Sequence, residues 1–356
     1  FQESDSVAIE TTSVETTLAA LRERLHGVVP DFELEIKAEL AFEINRLKHE
    51  RGAVILGHNY MEPALYHSVC DHVGDSLELS RVAATTEAEI LVFCGVRFMA
   101  ETAKILSPER TVLLPAKVAG CSLAESITAE DVRELKRRYP GVPVISYINT
   151  YADVKAEVDV CCTSGNARQV VESFDDETVI FLPDEYLAAN VARETGKEII
   201  FPTLAPPANG AANGLKYEMI GWGGRCEVHE KFTVEDIEDV RRQFSDVVIL
   251  THPECSPAVV EASDFSGSTA AMSRYVREVD APRYLLLTEC SMGDNIAAEA
   301  PEKEMLGLCS VRCPHMNEIT LDLVLASLRE TRYVIEVPEE IRARARGSID
   351  RMLEIR

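Results

Sequence analysis

The chain repeats one design three times, so its fold must place three copies of that design in equivalent surroundings. Gly57 opens GHNYMEPALYHSVCDHVGDSLELS, Ser146 opens SYINTYADVKAEVDVCCTSGNARQ, and Thr251 opens THPECSPAVVEASDFSGSTAAMS. In each copy a β-branched run ends in two polar residues spaced i and i+2: His58 and Tyr60, Tyr147 and Asn149, His252 and Glu254. Alternation along a strand puts both members of a pair on one face. A serine then opens a helical stretch: Ser76 lies 18 residues after His58, Ser164 lies 17 after Tyr147, and Ser268 lies 16 after His252. The second halves align as well, FMAETAKIL from Phe98 with YLAANVARE from Tyr186 and SMGDNIAAE from Ser291. Each copy closes on one cysteine, Cys121, Cys226 or Cys313, placed 45, 62 and 45 residues beyond its serine. The 17 extra residues of the middle copy fall in FPTLAPPANGAANGLKYEMIGWGG, where Pro, Gly and Asn accumulate without apolar periodicity; this predicts an inserted loop near 205–221. Three copies with one thiol each predict a pseudo-threefold molecule with a trio of cysteines at its centre.

Strand-like runs at 53–57, 90–94, 111–115, 143–148, 178–182, 198–201, 247–251 and 283–287 alternate with helical periodicity near 77–86, 99–106, 128–138, 165–173, 184–195, 233–243, 268–278 and 317–330. Such alternation predicts an α/β protein: three pseudo-threefold-related α/β/α units, with parallel sheets, around a central cluster site. The units run over 53–140, 141–245 and 246–330. Before them lies an N-terminal extension with a lead-in helix (1–52) that closes on Gly52, and after them a C-terminal strand and helix (331–356). Right-handed crossovers bring functional residues to the carboxyl ends of the strands, where the three polar pairs stand. A chain of 356 residues, 46% apolar, is long enough to bury a core in each unit.

A net charge of −24 argues against an extended nucleic-acid or anionic-membrane surface. Small anions remain available, because helix N-termini bind them through backbone amides, and Gly74-Asp75-Ser76, Thr163-Ser164-Gly165 and Gly267-Ser268-Thr269 each read as such a start. The longest apolar run, ILVFCGV from Ile90, is far short of the ~18 residues of a membrane span. The first 21 residues hold no Lys or Arg, unlike a secretory signal or a transit peptide, and predict a cytoplasmic protein. In that setting ten cysteines read as thiols or metal ligands. No CxxC pair occurs, so ligands to one metal must come from distant segments.

Cys121, Cys226 and Cys313 each directly precede a helical stretch, where main-chain amides favour the thiolate that ligates metals. Three thiolates leave one iron of a four-iron cluster without a protein ligand, and an open iron is a Lewis acid able to bind hydroxyl and carboxylate oxygens. Tetrahedral zinc on the same three cysteines is the competing reading. Around that centre Glu254 can move protons, as can His58 and His252 if they titrate near neutrality, while Tyr60 and Tyr147 can donate through the phenol. His229, three residues past Cys226, reads equally as a partner of that site, a phosphate contact, or a surface residue. Cys309 is a rival to Cys313 as ligand or a disulfide partner for it. A dehydrating or condensing enzyme fits these residues, with an iron–sulfur hydro-lyase on another hydroxy acid as a second enzyme reading. A cluster-based redox sensor is the non-enzymatic one.

The motifs GHNY, GDSLELSR, FCGVRFMAETAKILSP, AGCSLA, YINTYADVKAEVDVCCTSGNA, CEVHEKF, HPECSPAVVEASDFSGST and CPHMNEITL, spread over residues 50–330, closely resemble those of the quinolinate synthase family of de novo NAD biosynthesis. The resemblance implies three α/β domains in a triangle around a [4Fe-4S] cluster held by Cys121, Cys226 and Cys313. It also implies a transferase that condenses iminoaspartate, delivered by a supplying enzyme, with dihydroxyacetone phosphate, and loses phosphate and two waters to give quinolinate. His58, Tyr60, Ser76, Tyr147, Asn149, Ser164, His252, Glu254, Ser268 and Thr269 fall on the family's substrate-handling positions. The chain departs from the family in the longer 205–221 segment and in a Cys309-x3-Cys313 spacing where some members carry CxxCxxC.

Overall fold

A computed structural model describes residues 7–174, 178–202, 218–307 and 311–355. The repeat becomes three parallel sheets. The first holds β1 (Ala53–His58), β2 (His72–Gly74), β3 (Ile90–Cys94) and β4 (Thr111–Leu113) in the order β2-β1-β3-β4. The second holds β5 (Val144–Tyr147), β6 (Val160–Cys162), β7 (Val179–Leu182), β8 (Ile199–Ile200) and β9 (Met219–Gly221) in the order β6-β5-β7-β9-β8. The third holds β10 (Val247–Thr251), β11 (Phe265–Ser266), β12 (Arg283–Leu287) and β13 (Glu304–Leu306) in the order β11-β10-β12-β13. The middle sheet is therefore the common one with β8 added at its edge, and β9 stands where β4 and β13 stand in the others. Of the predicted loop at 205–221, Met219–Gly221 is a strand, because Met219 and Ile220 are apolar and buried beside β7; 205–217 lies outside the described residues.

Register makes the equivalence strict. Gly57 pairs with Cys94, Ser146 with Leu182 and Thr251 with Leu287, so His58, Tyr147 and His252 are the same position in three units. A device the apolar pattern did not reveal repeats with them. The backbone N–H groups of Ile55, Val144 and Ile249 donate to the carboxylates of Asp71, Asp159 and Asp264 at 2.8 Å in every case. The same aspartates' own N–H groups return to the carbonyls of Ile55, Val144 and Ile249 at 2.9 Å. Each aspartate thereby seats the short strand that follows it, β2, β6 or β11. Runs of two or three residues carry too little periodicity to be read as strands.

The first strand of each unit leads through a sharp tip into a short helix, Pro63–Tyr66, Ala152–Lys155 or Pro257–Ala262. The cysteine segments are where the chain passes from one unit to the next. The helix after Cys121, Ala129–Arg138, packs on Ala152–Lys155 of the second unit, and the helix after Cys226, Val234–Gln243, packs on β10 and Pro257–Ala262 of the third. The helix after Cys313, Leu321–Glu330, returns to β3 and the lead-in helix Asp31–Glu50 of the first. A ring of three units crossed this way brings the three crossover points toward its axis.

The expected C-terminal strand does not form. Thr331 and Tyr333 adopt left-handed backbone (φ 52° and 58°), which breaks the extended run and leaves a single antiparallel bridge between Leu113 and Val334. The terminal helix Glu339–Glu354 packs across units, with Ser348 Oγ donating to the carbonyl of Lys155 and Arg346 to that of Leu106. Among the described residues no helix is long and apolar enough to cross a membrane.

Candidate active site

The three cysteines open equivalent turns, an α-turn at Ser122–Glu125 after Cys121 and 3-10 turns at His229–Lys231 and Met316–Glu318 after Cys226 and Cys313. Main-chain amides two and three residues on are aimed at each sulfur: Leu123 and Ala124 at Cys121, Val228 and His229 at Cys226, His315 and Met316 at Cys313. Seven residues after each cysteine a threonine, Thr128, Thr233 or Thr320, caps the crossover helix with its hydroxyl. The C-x6-T spacing in CSLAESIT, CEVHEKFT and CPHMNEIT is thus the sequence signature of the turn. The amides act as expected of a helix start, but burial outweighs them. It pushes Cys121 up to about 12 and Cys313 up to about 11, and lifts Cys226 well above an ordinary thiol. The expectation of lowered thiol pKa values is therefore corrected: desolvation wins, and a thiolate here needs a bound cation.

Cys121, Cys226 and Cys313 line one cavity at the meeting of the units. His58, Tyr60, Ser76, Tyr147, Asn149, Ser164, His252, Glu254 and Thr269 line the same cavity. Ser268 does not. It lines an adjoining cleft of about 1040 Å³ that shares Asp75 and Ser164 with the first, and its hydroxyl caps the helix Thr269–Glu278 by accepting from Ala271 N–H. Thr269 Oγ1 is held by the amide of Asn59 at 2.9 Å. Asp75, not Ser76, is the residue that caps the first of these helices, accepting from the N–H groups of Leu77 and Glu78. The second helix begins only at Ala167, so Ser164 sits in the turn before it.

At the strand tips, His58 and His252 accept on Nδ1 from the N–H of Tyr60 and Glu254, at 3.2 and 3.3 Å. The tip is folded by that bond, and Nε2 is left as the donor of the neutral ring. Burial pushes His58 down to about 4 and His252 down to about 3, so neither titrates near neutrality, and the condition on which they would carry protons fails. Both remain neutral N–H donors.

His229 is the residue the sequence left open, and it is buried at 2% exposure. Its Nδ1 lies 2.8 Å from Glu254 Oε2 and 3.2 Å from Cys226 Sγ, its Nε2 lies 3.0 Å from Thr288 Oγ1, and its ring stacks on His252 with centroids 4.5 Å apart. A carboxylate only accepts, so Nδ1 carries hydrogen and Nε2 faces the Thr288 hydroxyl. Thr288 in turn meets the Tyr60 hydroxyl at 2.5 Å, and Tyr147 donates to Glu254 Oε1 at 2.5 Å. The result is one continuous chain, Tyr60–Thr288–His229–Glu254–Tyr147. Burial alone would raise Glu254, but the His229 and His252 rings and the hydrogen bonds from His229 and Tyr147 hold it below the usual carboxylate range. Burial, then the Glu254 charge, lifts both tyrosines well above an ordinary phenol, so they rest protonated.

Sequence reasoning missed Thr288 because the repeat hides it. The equivalent positions, one past β3 and β7, hold Gly95 and Pro183. Among the described residues, which do not include Cys309, two donor sets could hold a metal. Cys226, His229 and Glu254 place ligand atoms within 4.8 Å of one another, but there Nδ1 is already committed to Glu254. The other set is the three thiols, each on an equivalent amide-lined turn, and it fits a group that takes three thiolates.

Parallel α/β units that gather three half-buried cysteines and a hydroxyl–imidazole–carboxylate chain around one cavity define an α/β enzyme. The family model for the quinolinate synthetase A protein matches residues 42–354. Quinolinate synthase 2 of Mesorhizobium japonicum is 49% identical over 344 residues, covering 97% of this chain and 100% of that protein. Quinolinate synthase of Agrobacterium fabrum is 49% identical over 345 residues (97% and 94%), and that of Caulobacter vibrioides 46% over 355 (99% and 91%). The chain belongs to the quinolinate synthase family.

Proposed function

We propose that the chain condenses iminoaspartate with dihydroxyacetone phosphate to quinolinate, releasing phosphate and two waters. The observation that carries this reading is the hydrogen-bonded chain from Tyr60 to Tyr147 on the wall of a cavity that also holds three cysteines. A [4Fe-4S] cluster on Cys121, Cys226 and Cys313 would supply, through an iron without a protein ligand, Lewis acidity toward substrate oxygens.

The remaining chemistry belongs to side chains. The phosphate is received by the hydroxyls of Ser164 and Thr269 on the cavity wall, with Ser268 behind them in the adjoining cleft, and the carboxylates of iminoaspartate by Ser76 and Asn149. His58 and His252, neutral and buried, orient carbonyl oxygens through Nε2–H. Tyr60 passes its phenolic proton through Thr288 Oγ1 to His229 Nε2, and the imidazolium so formed is stabilised by Glu254 Oε2. The tyrosinate removes a proton from substrate. Reversal of the same relay returns a proton to the departing hydroxyl, which leaves as water. Tyr147 holds the other oxygen of Glu254, so the carboxylate cannot turn away.

The test is anaerobic purification with iron and sulfide quantified, followed by a quinolinate assay on the same sample. Four irons per chain and quinolinate formation are expected from the wild type. Glu254→Gln should keep the cluster absorption and lose turnover. A fully loaded wild type that makes no quinolinate would favour the redox-sensor reading, and normal turnover in Glu254→Gln would remove the relay.

A further inference from the structure

The aligned segments FMAETAKIL, YLAANVARE and SMGDNIAAE form the helices Arg97–Leu106, Glu185–Thr195 and Cys290–Glu299, and their fifth residues are Thr102, Asn190 and Asn295. Asn190 reaches out of the second unit into the third. Its Nδ2 donates to the carbonyls of Pro253 at 2.9 Å and Cys255 at 3.0 Å, the residues on either side of Glu254. Asn295 does the same from the third unit into the first, donating to Asn59 at 3.2 Å and Met61 at 2.9 Å, on either side of Tyr60. The two hydrogens of each amide are thereby used, and the reverse orientation would set Oδ1 against two carbonyl oxygens.

Both side chains are buried, and among the described residues neither Oδ1 atom has a hydrogen-bond partner. A leucine of similar shape would avoid that unfavourable burial, so packing alone does not account for asparagine at these places. The third copy of the position behaves differently. The Thr102 hydroxyl returns to the carbonyl of Phe98 at 2.8 Å. The tip it would serve is tied instead by Lys155 Nζ to the Thr150 carbonyl and by Thr150 N–H to that of Ile148, both within the second unit, and by Ala152 N–H to the Glu101 carboxylate of the first unit at 2.8 Å. The amide clamp is thus found at the two tips that carry Tyr60 and Glu254, the ends of the relay's Tyr60–Thr288–His229–Glu254 span, and not at the tip that carries Asn149.

We propose that Asn190 and Asn295 are positioning residues that hold Glu254 and Tyr60 in the relay from neighbouring units, so that closure of the three-unit ring sets the relay's geometry. The kinetic part of this rests on the function proposed above. The experiment compares Asn190→Leu, Asn295→Leu, their double variant and Thr102→Val as control, each anaerobically loaded with iron quantified, by kcat, KM and crystal structure. Misplacing a reacting group by about 1 Å costs on the order of 10²-fold, so each leucine variant should lose about that much in kcat at unchanged iron content. KM should stay within about threefold, the double variant should lose little more than either single one because both feed one relay, and Thr102→Val should match wild type. The structures should show Glu254 withdrawn from His229 Nδ1 in Asn190→Leu and Tyr60 withdrawn from Thr288 in Asn295→Leu. Alanine variants replace any leucine variant that does not fold. Loaded, folded variants with wild-type kcat, or with Glu254 and Tyr60 unmoved, overturn the proposal. If the wild type makes no quinolinate, the proposed function fails, and the crystal structures alone still decide whether the clamp positions these side chains.

Discussion

Thr288→Val isolates the link on which the proton relay depends. Valine has the shape of threonine, so the buried packing at 2% exposure is preserved and only the hydroxyl goes. Two hydrogen bonds disappear, at 2.5 Å to Tyr60 and 3.0 Å to His229 Nε2, each contributing about 0.5–1.5 kcal/mol net. The groups left behind are not fully orphaned, because the Tyr60 hydroxyl already lies 3.4 Å from His229 Nε2. The expected loss of stability is therefore about 1–3 kcal/mol, read by urea unfolding. A general acid–base step contributes about 10²–10⁴-fold, and the long direct contact should rescue part of it, so kcat should fall by roughly 10²-fold with KM little changed. The assay is anaerobic quinolinate formation at matched iron content, run beside Tyr60→Phe and the double variant. Since both residues lie on one path, the double variant should be no slower than Tyr60→Phe. A kcat within about threefold of wild type, or a double variant that loses the product of the two single effects, would refute the relay.

Replacing Cys121, Cys226 or Cys313 by Ala should abolish cluster iron and turnover, whereas Cys162→Ala, a buried core position, should keep both; a full complement of iron in any of the first three sinks its assignment. His67 is buried beside Arg24, and burial first and Arg24 second push it down to about 4. Its folded value lies below the unfolded one of about 6.5, so its contribution to stability is complete above that pH and is lost as pH falls toward 4. His67→Gln should lower the slope of unfolding free energy against pH across that window by about 1.4 kcal/mol per unit, and an unchanged slope would contradict the assignment. At Gly57 a Cβ would strike Cys70 Sγ, so Gly57→Ala should cost about 1–3 kcal/mol by overpacking. Adding Cys70→Ala should recover part of that loss in urea unfolding, and strict additivity would show that the two sites do not touch.

The parts of the site legible in the sequence are those the repeat preserves. His58, Tyr60, Tyr147, Asn149, His252 and Glu254 were found because period-2 geometry and near-equal spacing mark one strand tip three times. The cysteines are legible by the same spacing, whereas the C-x6-T signature takes its meaning only from the folded turns. Thr288 and His229 escaped or stayed ambiguous for the opposite reason. Their counterparts are Gly95 and Pro183 in one case and Ala124 and Met316 in the other, so the repeat dilutes their signal exactly where one unit departs from the other two.

From its own letters the chain determines three α/β units, the faces of their strands and the turns that hold their thiols, because propensity, capping and alternation act over a few residues. Only the tertiary structure decides that Tyr60 meets Thr288 across 228 residues, that His229 serves Glu254, and that Asn190 and Asn295 brace tips in units not their own. A hydrogen bond needs a distance and a direction, and a periodic pattern supplies only a face; the closing of three units on one axis supplies the rest.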